Sequence, residues 1–259
     1  MEGIIIPALA GLLAGLGTGF AGLSAAVFIA PMLTVFLKLD TFSSVGIALA
    51  SDVLASAFSA ITYYRHGNTA LRENRLLMAV VVIFAIIGSA AAHIFTGLSV
   101  GESIMSWWLI AASLLLGIKL LLFPAKEEKK RREFPSSSKK LVMIFCGAYI
   151  GFVCGFQGTG GGLMLLFTLN ILLEVPFKKA VGTSVSVMAV TALIGAVSHF
   201  TMRDFPDFKI LLLSIVFTLI GAGVAATVAN RIQPLVLKRI TGGLMSVSGF
   251  VMVVMKFLS

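Results

Sequence analysis

The sequence has very few charged residues. Of its 259 residues, 12% are Asp, Glu, Lys or Arg, whereas 58% are hydrophobic. A soluble domain of this length could not bury so much apolar surface. Several uncharged runs reach the roughly 18 to 20 residues that cross a bilayer. One of them extends from Leu141 to Leu173 without a single charge. The composition therefore predicts a multi-pass protein of the cell (inner or plasma) membrane.

Cysteine and histidine are also scarce. Cys146 and Cys154 lie in one apolar run, and the three histidines show no metal-ligand spacing with them. We therefore expect neither a metal site nor a cofactor. The net charge of +9 comes from basic residues between apolar runs, which is the positive-inside pattern of membrane proteins rather than a nucleic-acid surface. No basic segment precedes the first apolar run, so we expect that run to remain in the mature protein.

The apolar segments form two halves of similar layout. We predict a first transmembrane repeat at 1–124, a basic cytoplasmic linker at 125–140 and a second transmembrane repeat at 141–259. At an offset of 136 residues, Gly11, Gly15, Gly19, Gly22 and Gly46 coincide with Gly147, Gly151, Gly155, Gly158 and Gly182. Five coincidences in one register indicate an internal duplication.

The first apolar segment of each half has an unusual length. As single helices, 3–37 and 141–173 would measure about 50 Å, whereas the hydrocarbon core is about 30 Å thick. Each is too long for one crossing and short for two. We predict two shorter helices that enter the membrane, break at a glycine-rich turn and return. This hairpin interpretation also places more Lys and Arg on the cytoplasmic side than a single crossing does.

Each half then holds one broken or hairpin helix followed by three transmembrane helices. Because each half crosses the membrane an odd number of times, the fold class predicted is an all-α polytopic membrane protein of two inverted repeats. The turns at 17–24 and 155–162 are expected to meet near the midplane. Inverted repeats with broken helices are a recurrent plan of secondary transporters.

The second turn has the sequence GFQGTGGGLM, residues 155–164. Glycines let a ligand approach the backbone, and the start of a half-helix presents free N–H groups to an anion. Hydroxyls follow in the next segment. The predicted substrate-binding residues are Gln157, Gly158, Thr159, Gly160, Gly161, Gly162, Thr183, Ser184, Gly22 and Ser24. Two alternatives stay open: the glycines permit close helix packing, and the hydroxyls bond to their own backbone.

Asp52 lies well inside the second apolar segment. An intramembrane carboxylate is a functional candidate by default, and Asp52 is the candidate for proton coupling. Its position in the second half is occupied by Met188, so the feature is not symmetric. A role as a cap that braces a neighbouring broken helix is an equal alternative, and exposure to water near a segment end is a third.

The second half carries a family resemblance. GFQGTGGGLM followed by VPFKKAVGTSVSV resembles the signature of the TauE/SafE family, the sulfite exporters or toluene-sulfonate uptake permeases. The residues that match are Pro176, Ala180, Gly182, Thr183 and Ser184. The first half departs from the pattern, because Ser24, Ala25 and Ala26 replace the glycine triplet. The resemblance covers essentially the whole chain and implies transport of sulfite, thiosulfate, sulfonates or related organosulfur anions.

These observations predict a secondary transporter rather than an enzyme. It would bind a small sulfur-containing anion between the two glycine-rich breaks, near the bilayer midplane, and move it by alternating access. One alternative is a channel-like anion pathway. Another is a membrane-embedded enzyme or an assembly factor, although only Asp52 and His93 are available in the membrane for catalysis. Steady anion flux in proteoliposomes separates transport from these non-transport functions.

Overall fold

The computed structural model describes residues 2–94, 111, 114–115, 117–122, 136–157, 161–202 and 206–258, and the secondary-structure elements in these ranges are helical. The named helices are α1 Glu2–Ala21, a 3₁₀ turn Ala25–Val27, α2 Ile29–Phe36, α3 Thr41–Arg65, α4 Arg75–Ile94, α5 Ser136–Gln157, α6 Gly162–Phe167 with a π turn Thr168–Leu172, α7 Phe177–Met202, α8 Phe208–Arg231 and α9 Pro234–Leu258. Further helical residues are described within 111–122.

Seven helices in the described part of the chain are long and apolar enough to cross a membrane. They are α1, α3, α4, α5, α7, α8 and α9. The described residues within 111–122 belong to the third transmembrane helix predicted after the first hairpin and are helical as well, and the rest of that segment lies outside the described residues. Of the predicted linker, 136–140 form the start of α5 and 125–135 lie outside the described residues. The chain is an all-α, multi-pass protein of the cell membrane, as predicted.

Both long apolar segments are interrupted. Helix α1 ends at Ala21, and the next residue, Gly22, has a φ of +65°. Helix α6 begins after Gly161, which has a φ of +61°. Left-handed backbone is readily adopted by glycine and strained for other residues, so these glycines allow the chain to change direction.

Helix α1 packs parallel to α8. A β-carbon at Gly11 would lie 2.9 Å from the Ser214 carbonyl oxygen, and one at Gly19 would lie 2.7 Å from the Ala222 carbonyl oxygen. The two contacts are eight residues apart on each helix, in the same order. Glycines at this interface therefore let two backbones approach closely, which is the packing alternative considered from the sequence.

Helix α3 runs in the same direction as α8. The Phe58 ring packs on Gly223, and the Asn68 side chain beyond the end of α3 donates a hydrogen bond of 2.6 Å to the Asn230 side chain near the end of α8. Because α1 and α3 are both parallel to α8, they point the same way. Residues 22–40 must then carry the chain back between them, so the first segment forms a hairpin.

The second half repeats this arrangement. Helix α5 packs parallel to α4, because a β-carbon at Gly147 would lie 3.1 Å from the Val80 Cβ atom and one at Gly155 would lie 2.7 Å from the Ser89 nitrogen. Helix α1 of the first half thus packs against α8 of the second half, and α5 of the second half packs against α4 of the first half. This exchange ties the two halves into one body.

Helices α3 and α7 hold equivalent places in the two halves and run antiparallel. Gly46 contacts the Cβ atom of His199, whereas Gly182 contacts the Cβ atom of Tyr63. Gly182 is 136 residues after Gly46, and His199 is 136 residues after Tyr63. Gly182 therefore contacts Tyr63, and its equivalent Gly46 contacts His199, the equivalent of Tyr63. Two contacts that repeat each other in this way are expected on either side of a two-fold axis.

Candidate functional site

The two helix breaks touch each other. Gly162, the first residue of α6, lies so close to the carbonyl oxygen of Gly22 that a β-carbon would overlap with it. Met188 of α7 packs on the same glycine, and a β-carbon there would lie 2.8 Å from its sulfur. On the other side of the contact, a β-carbon at Gly22 would lie 2.5 Å from the Ser184 hydroxyl. Only glycines allow the breaks to meet this closely.

A cavity of about 120 Å³ opens between the two breaks. Its lining residues come from both breaks, from α3 and from α9: Leu23, Ser24, Ala26, Val27, Val45, Gly161, Gly162, Leu163, Met164 and Met252. A water molecule takes up about 30 Å³, and a cavity of about 150 Å³ is known to hold benzene. The space therefore suits a small polyatomic ion rather than an aromatic one.

Asp52 braces the first break. Its carboxylate is fully buried and accepts hydrogen bonds from the Ser24 hydroxyl at 2.6 Å and from the Ala25 backbone N–H at 2.8 Å. Ala25 begins the 3₁₀ turn that leads into α2, so the carboxylate satisfies an N–H group that this turn leaves free. The bracing role considered from the sequence is present in the structure, and Asp52 does not face water.

Side chains from distant helices satisfy the broken end of α1. The Tyr63 hydroxyl donates to the Gly19 carbonyl at 3.0 Å, and the Thr241 hydroxyl donates to the Phe20 carbonyl at 3.0 Å. Thr18 adds a hydroxyl that contacts the Leu23 carbonyl and Asp52. Backbone groups freed by a break inside a membrane need such partners. Of these hydroxyl residues, only Thr18 lies within a turn that the sequence predicts, and no sequence pattern points to Tyr63 or Thr241.

The structure brings some of the predicted ligands together. Ser24, Gly161 and Gly162 line the cavity, and Gly22 and Ser184 form the contact beside it. The Ser184 hydroxyl donates its one hydrogen to the Val181 carbonyl at 2.9 Å, so it can donate to an anion only after turning away from that carbonyl. Three predicted ligands, Gly158, Thr159 and Gly160, lie outside the described residues, as do the side chains of Gln157 and His93.

Thr183 is placed away from the cavity. Its hydroxyl accepts a hydrogen bond of 2.8 Å from the Ala70 backbone N–H and donates one of 2.7 Å to the Lys179 carbonyl. Ala70 belongs to the loop between α3 and α4, so Thr183 ties α7 to that loop. Thr183 is not among the residues that line the cavity.

The two breaks differ in chemistry at equivalent positions. Thr18 and Asp52 in the first half correspond to Cys154 and Met188 in the second. The Cys154 sulfur packs against Gly161 where a β-carbon would overlap with it, and Met188 packs against Gly162. One break is therefore surrounded by oxygen atoms and the other by sulfur atoms. A negative side chain stands beside the first break only, among the described residues.

Comparison with known proteins gives a consistent result. Residues 7–252 match the family described as Sulfite exporter TauE/SafE. The chain is 24% identical over 226 residues to the Probable membrane transporter protein YdhB of Bacillus subtilis (strain 168), covering 87% of this chain and 90% of that protein. It is 22% identical over 208 residues to the Probable membrane transporter protein YunE of the same organism, covering 75% of each chain.

A relative also occurs in an archaeon. A probable membrane transporter protein of Methanocaldococcus jannaschii is 22% identical over 255 residues, covering 93% of this chain and 90% of that protein. The family match spans both halves and both breaks. The chain belongs to the sulfite exporter TauE/SafE family and is a multi-pass membrane transporter.

Proposed function

We propose that the protein is a secondary transporter that moves small sulfur-containing anions, such as sulfite, thiosulfate or a short sulfonate, by alternating access. The observation that carries this proposal is the cavity of about 120 Å³ that lies between the two helix breaks. Broken helices of secondary transporters bind substrates at such positions near the bilayer midplane. The size of the cavity favours anions smaller than an aromatic sulfonate.

We infer further that the two halves are inverted repeats. The antiparallel arrangement of α3 and α7 supports this, because equivalent helices of inverted repeats point in opposite directions. The reciprocal contacts of Gly46 and Gly182 support a pseudo-two-fold axis that passes between these helices. Rocking of one half against the other around such an axis exposes a central site alternately to the two sides.

The anion is expected to bind on the side of the second break. At the first break, Asp52 already occupies the Ala25 N–H group, and its carboxylate repels a second negative charge. At the second break, Gly161 and Gly162 expose backbone without a side chain in the way. Ser24 lines the same cavity, but its hydroxyl hydrogen is donated to Asp52. Ser184 lies beside the cavity at the contact of the two breaks, and we expect its hydroxyl to turn from the Val181 carbonyl and donate to the anion.

Asp52 is proposed as the residue that couples a proton to transport. The cell interior is electrically negative, so expelling an anion gains about 2.3 kcal/mol per charge at 100 mV, and importing one costs the same. An exporter therefore needs no coupling ion, whereas an uphill importer does. Asp52 is the carboxylate that the described structure buries between the first break and α3.

The proposal is tested with the purified chain in proteoliposomes. Flux is measured for sulfite, thiosulfate, methanesulfonate, sulfate and toluenesulfonate under an imposed membrane potential. We expect saturable flux of at least one of the small sulfur anions and none of toluenesulfonate. Flux that rises linearly without saturation would indicate a channel-like pathway, and absence of flux for every anion would contradict transport of this class.

A further inference from the structure

The Thr18 hydroxyl lies within hydrogen-bonding distance of more acceptors than it can serve. Its oxygen is 3.1 Å from the Ala14 carbonyl, 2.8 Å from the Leu23 carbonyl and 3.3 Å from Oδ1 of Asp52. The contact to Ala14, one turn earlier, is common for threonine in a membrane helix. A hydroxyl has a single hydrogen, so the other two oxygens compete for it.

The two oxygens of the Asp52 carboxylate have unequal surroundings. Oδ2 accepts from both the Ser24 hydroxyl and the Ala25 N–H group. Oδ1 has only the Thr18 hydroxyl as a partner among the described residues. The Thr18 hydroxyl oxygen is closer to the Leu23 carbonyl oxygen than to Oδ1 of Asp52. When Thr18 donates there, its oxygen and Oδ1 face each other in a buried place with no hydrogen between them.

A positive charge between these oxygens removes the conflict. A proton on Oδ1 donates to Thr18, and Thr18 donates in turn to Leu23, so that every group has a partner. A sodium ion does the same by coordination, since carboxylate, hydroxyl and carbonyl oxygens are the ligands that hard cations prefer. Unwound backbone carbonyls beside a broken helix coordinate coupling ions in secondary transporters.

We infer that Thr18, the Leu23 carbonyl and Asp52 form the site of a monovalent coupling cation, a proton or a sodium ion. The inference rests on the proposed function, because it assigns the coupling step of that transport. Thr18 is a new member of the site, and its role is to share the cation with Asp52. The anion cavity is adjacent, since Leu23 and Ser24 also line it.

The position of the site explains how a cation acts on the break. Thr18 belongs to α1, Leu23 to the break itself and Asp52 to α3. Gly22, which touches Gly162, lies between Thr18 and Leu23 in the chain, so we expect the three groups to stay together only while that contact is kept. A cation that binds this arrangement more tightly than an open one shifts the protein toward it. By linkage, anion and cation then raise each other's affinity.

Asp52 has no charged partner among the described residues. In the described part of the chain, no Lys, Arg, His or Glu side chain makes an ion pair or hydrogen bond with Asp52. Tyr63 is the titratable group that shares the end of α1, where it bonds to the Gly19 carbonyl. On α7, Lys178 bonds to the Asn230 carbonyl and His199 stacks on Phe42, both near helix ends.

The experiment compares wild type with four variants in proteoliposomes that carry the transported anion. Uptake is measured with a sodium gradient, with a pH gradient and with neither. Thr18→Val removes the hydroxyl at constant shape, Thr18→Ser restores it, and Asp52→Asn removes the charge. Ser51→Ala is the matched control, because that buried hydroxyl is next in sequence to Asp52 but donates to the Ile47 carbonyl at 2.9 Å.

We expect one of the two gradients to stimulate wild-type uptake about ten-fold, within the 5- to 150-fold range of coupling between sites. Thr18→Val and Asp52→Asn should lose that stimulation, whereas Thr18→Ser and Ser51→Ala keep it. The responsive gradient identifies sodium or proton as the cation. Thermal stabilisation by sodium, measured in detergent on each variant, reports binding without transport.

Two results overturn the inference. One is wild-type anion flux that responds to neither gradient, which leaves the proposed transport function standing. The other is full stimulation in a folded Thr18→Val variant, which removes Thr18 from the site. Absence of anion flux under every condition contradicts the proposed function as well, and sodium stabilisation that depends on Thr18 then decides the cation site by itself.

Discussion

At the scale of single residues, the hydrogen bonds that each hydroxyl already makes decide which groups are available to a substrate. Asp52 and Ser24 secure the first break, and Tyr63 and Thr241 satisfy the carbonyls at the end of α1. Ser184 donates backward along α7 to the Val181 carbonyl, and only this hydrogen bond has to be given up for its hydroxyl to donate to an anion beside Gly22. The neighbouring Thr183 hydroxyl accepts from Ala70 in the loop between α3 and α4 and donates to the Lys179 carbonyl.

Adjacent hydroxyls on α7 are therefore expected to have different functions. Ser184→Ala should weaken anion affinity by about 1 kcal/mol, because a hydrogen bond at the site is lost. Thr183→Ala should leave affinity unchanged and lower stability by about 1 kcal/mol, because the buried Ala70 N–H group loses its acceptor. Anion binding and thermal denaturation of both purified variants check this. Equal loss of affinity in the two variants would place Thr183 at the anion.

At the scale of helices, glycine serves two purposes in this chain. Gly22 and Gly161 take left-handed backbone at the breaks. Six other glycines instead lie in helix interiors and face α8 or α4: Gly11, Gly15 and Gly19 of α1, and Gly147, Gly151 and Gly155 of α5. The sequence alone does not distinguish a glycine at a break from a glycine at a helix interface, and only the tertiary contacts do.

The packing glycines give a prediction about stability. A methyl group at Gly15 would overlap with the Thr218 carbonyl oxygen, whereas one at Gly3 has nothing within 4 Å. Gly15→Ala should lower the thermal stability of the purified protein by about 1 to 3 kcal/mol, the usual cost of overpacking. Gly3→Ala is the control and should have little effect. Equal stability of the two variants would show that α1 and α8 pack less closely than described.

Much of the fold follows from the sequence because a membrane restricts the choices. The absence of charge predicts the spans, and the length of 3–37 and 141–173 predicts the breaks. The start of α5 at Ser136 was missed, because a polar first turn in water carries no hydropathy signal. Pairs such as Ala70 with Thr183, or Phe20 with Thr241, could not be predicted. Their contacts join distant segments and leave no periodic pattern.

At the scale of the whole molecule, the two halves exchange partners. Helix α1 packs on α8 of the other half, and α5 packs on α4 of the other half. Helices α3 and α7 meet antiparallel between these two pairs. One end of the molecule brings together the loop after α3 and the end of α8, where Asn68 bonds to Asn230 and Lys178 bonds to the Asn230 carbonyl. Basic residues gather at this end, as on a cytoplasmic face.

Topology labelling tests this arrangement. Single cysteines in the loops 66–74 and 232–233, in a background without Cys146 and Cys154, should react with a membrane-impermeant thiol reagent from the cytoplasmic side only. Sites in the connection after α7 should react from outside. Labelling of the first two loops from opposite sides would exclude both the inverted-repeat relation and the hairpin of the second half.

The most direct test of the central claim is anion flux through the Gly162→Ala variant. Gly162 touches the Gly22 carbonyl and lines the cavity, so an added methyl group would overlap with that carbonyl and separate the two breaks that form the cavity. Gly243→Ala is the matched control, because a β-carbon there meets nothing within 4 Å. With wild type giving saturable flux of a small sulfur anion in proteoliposomes, the account predicts that Gly243→Ala retains it and that folded Gly162→Ala protein loses it. Undiminished flux through Gly162→Ala would contradict an anion site between the two breaks.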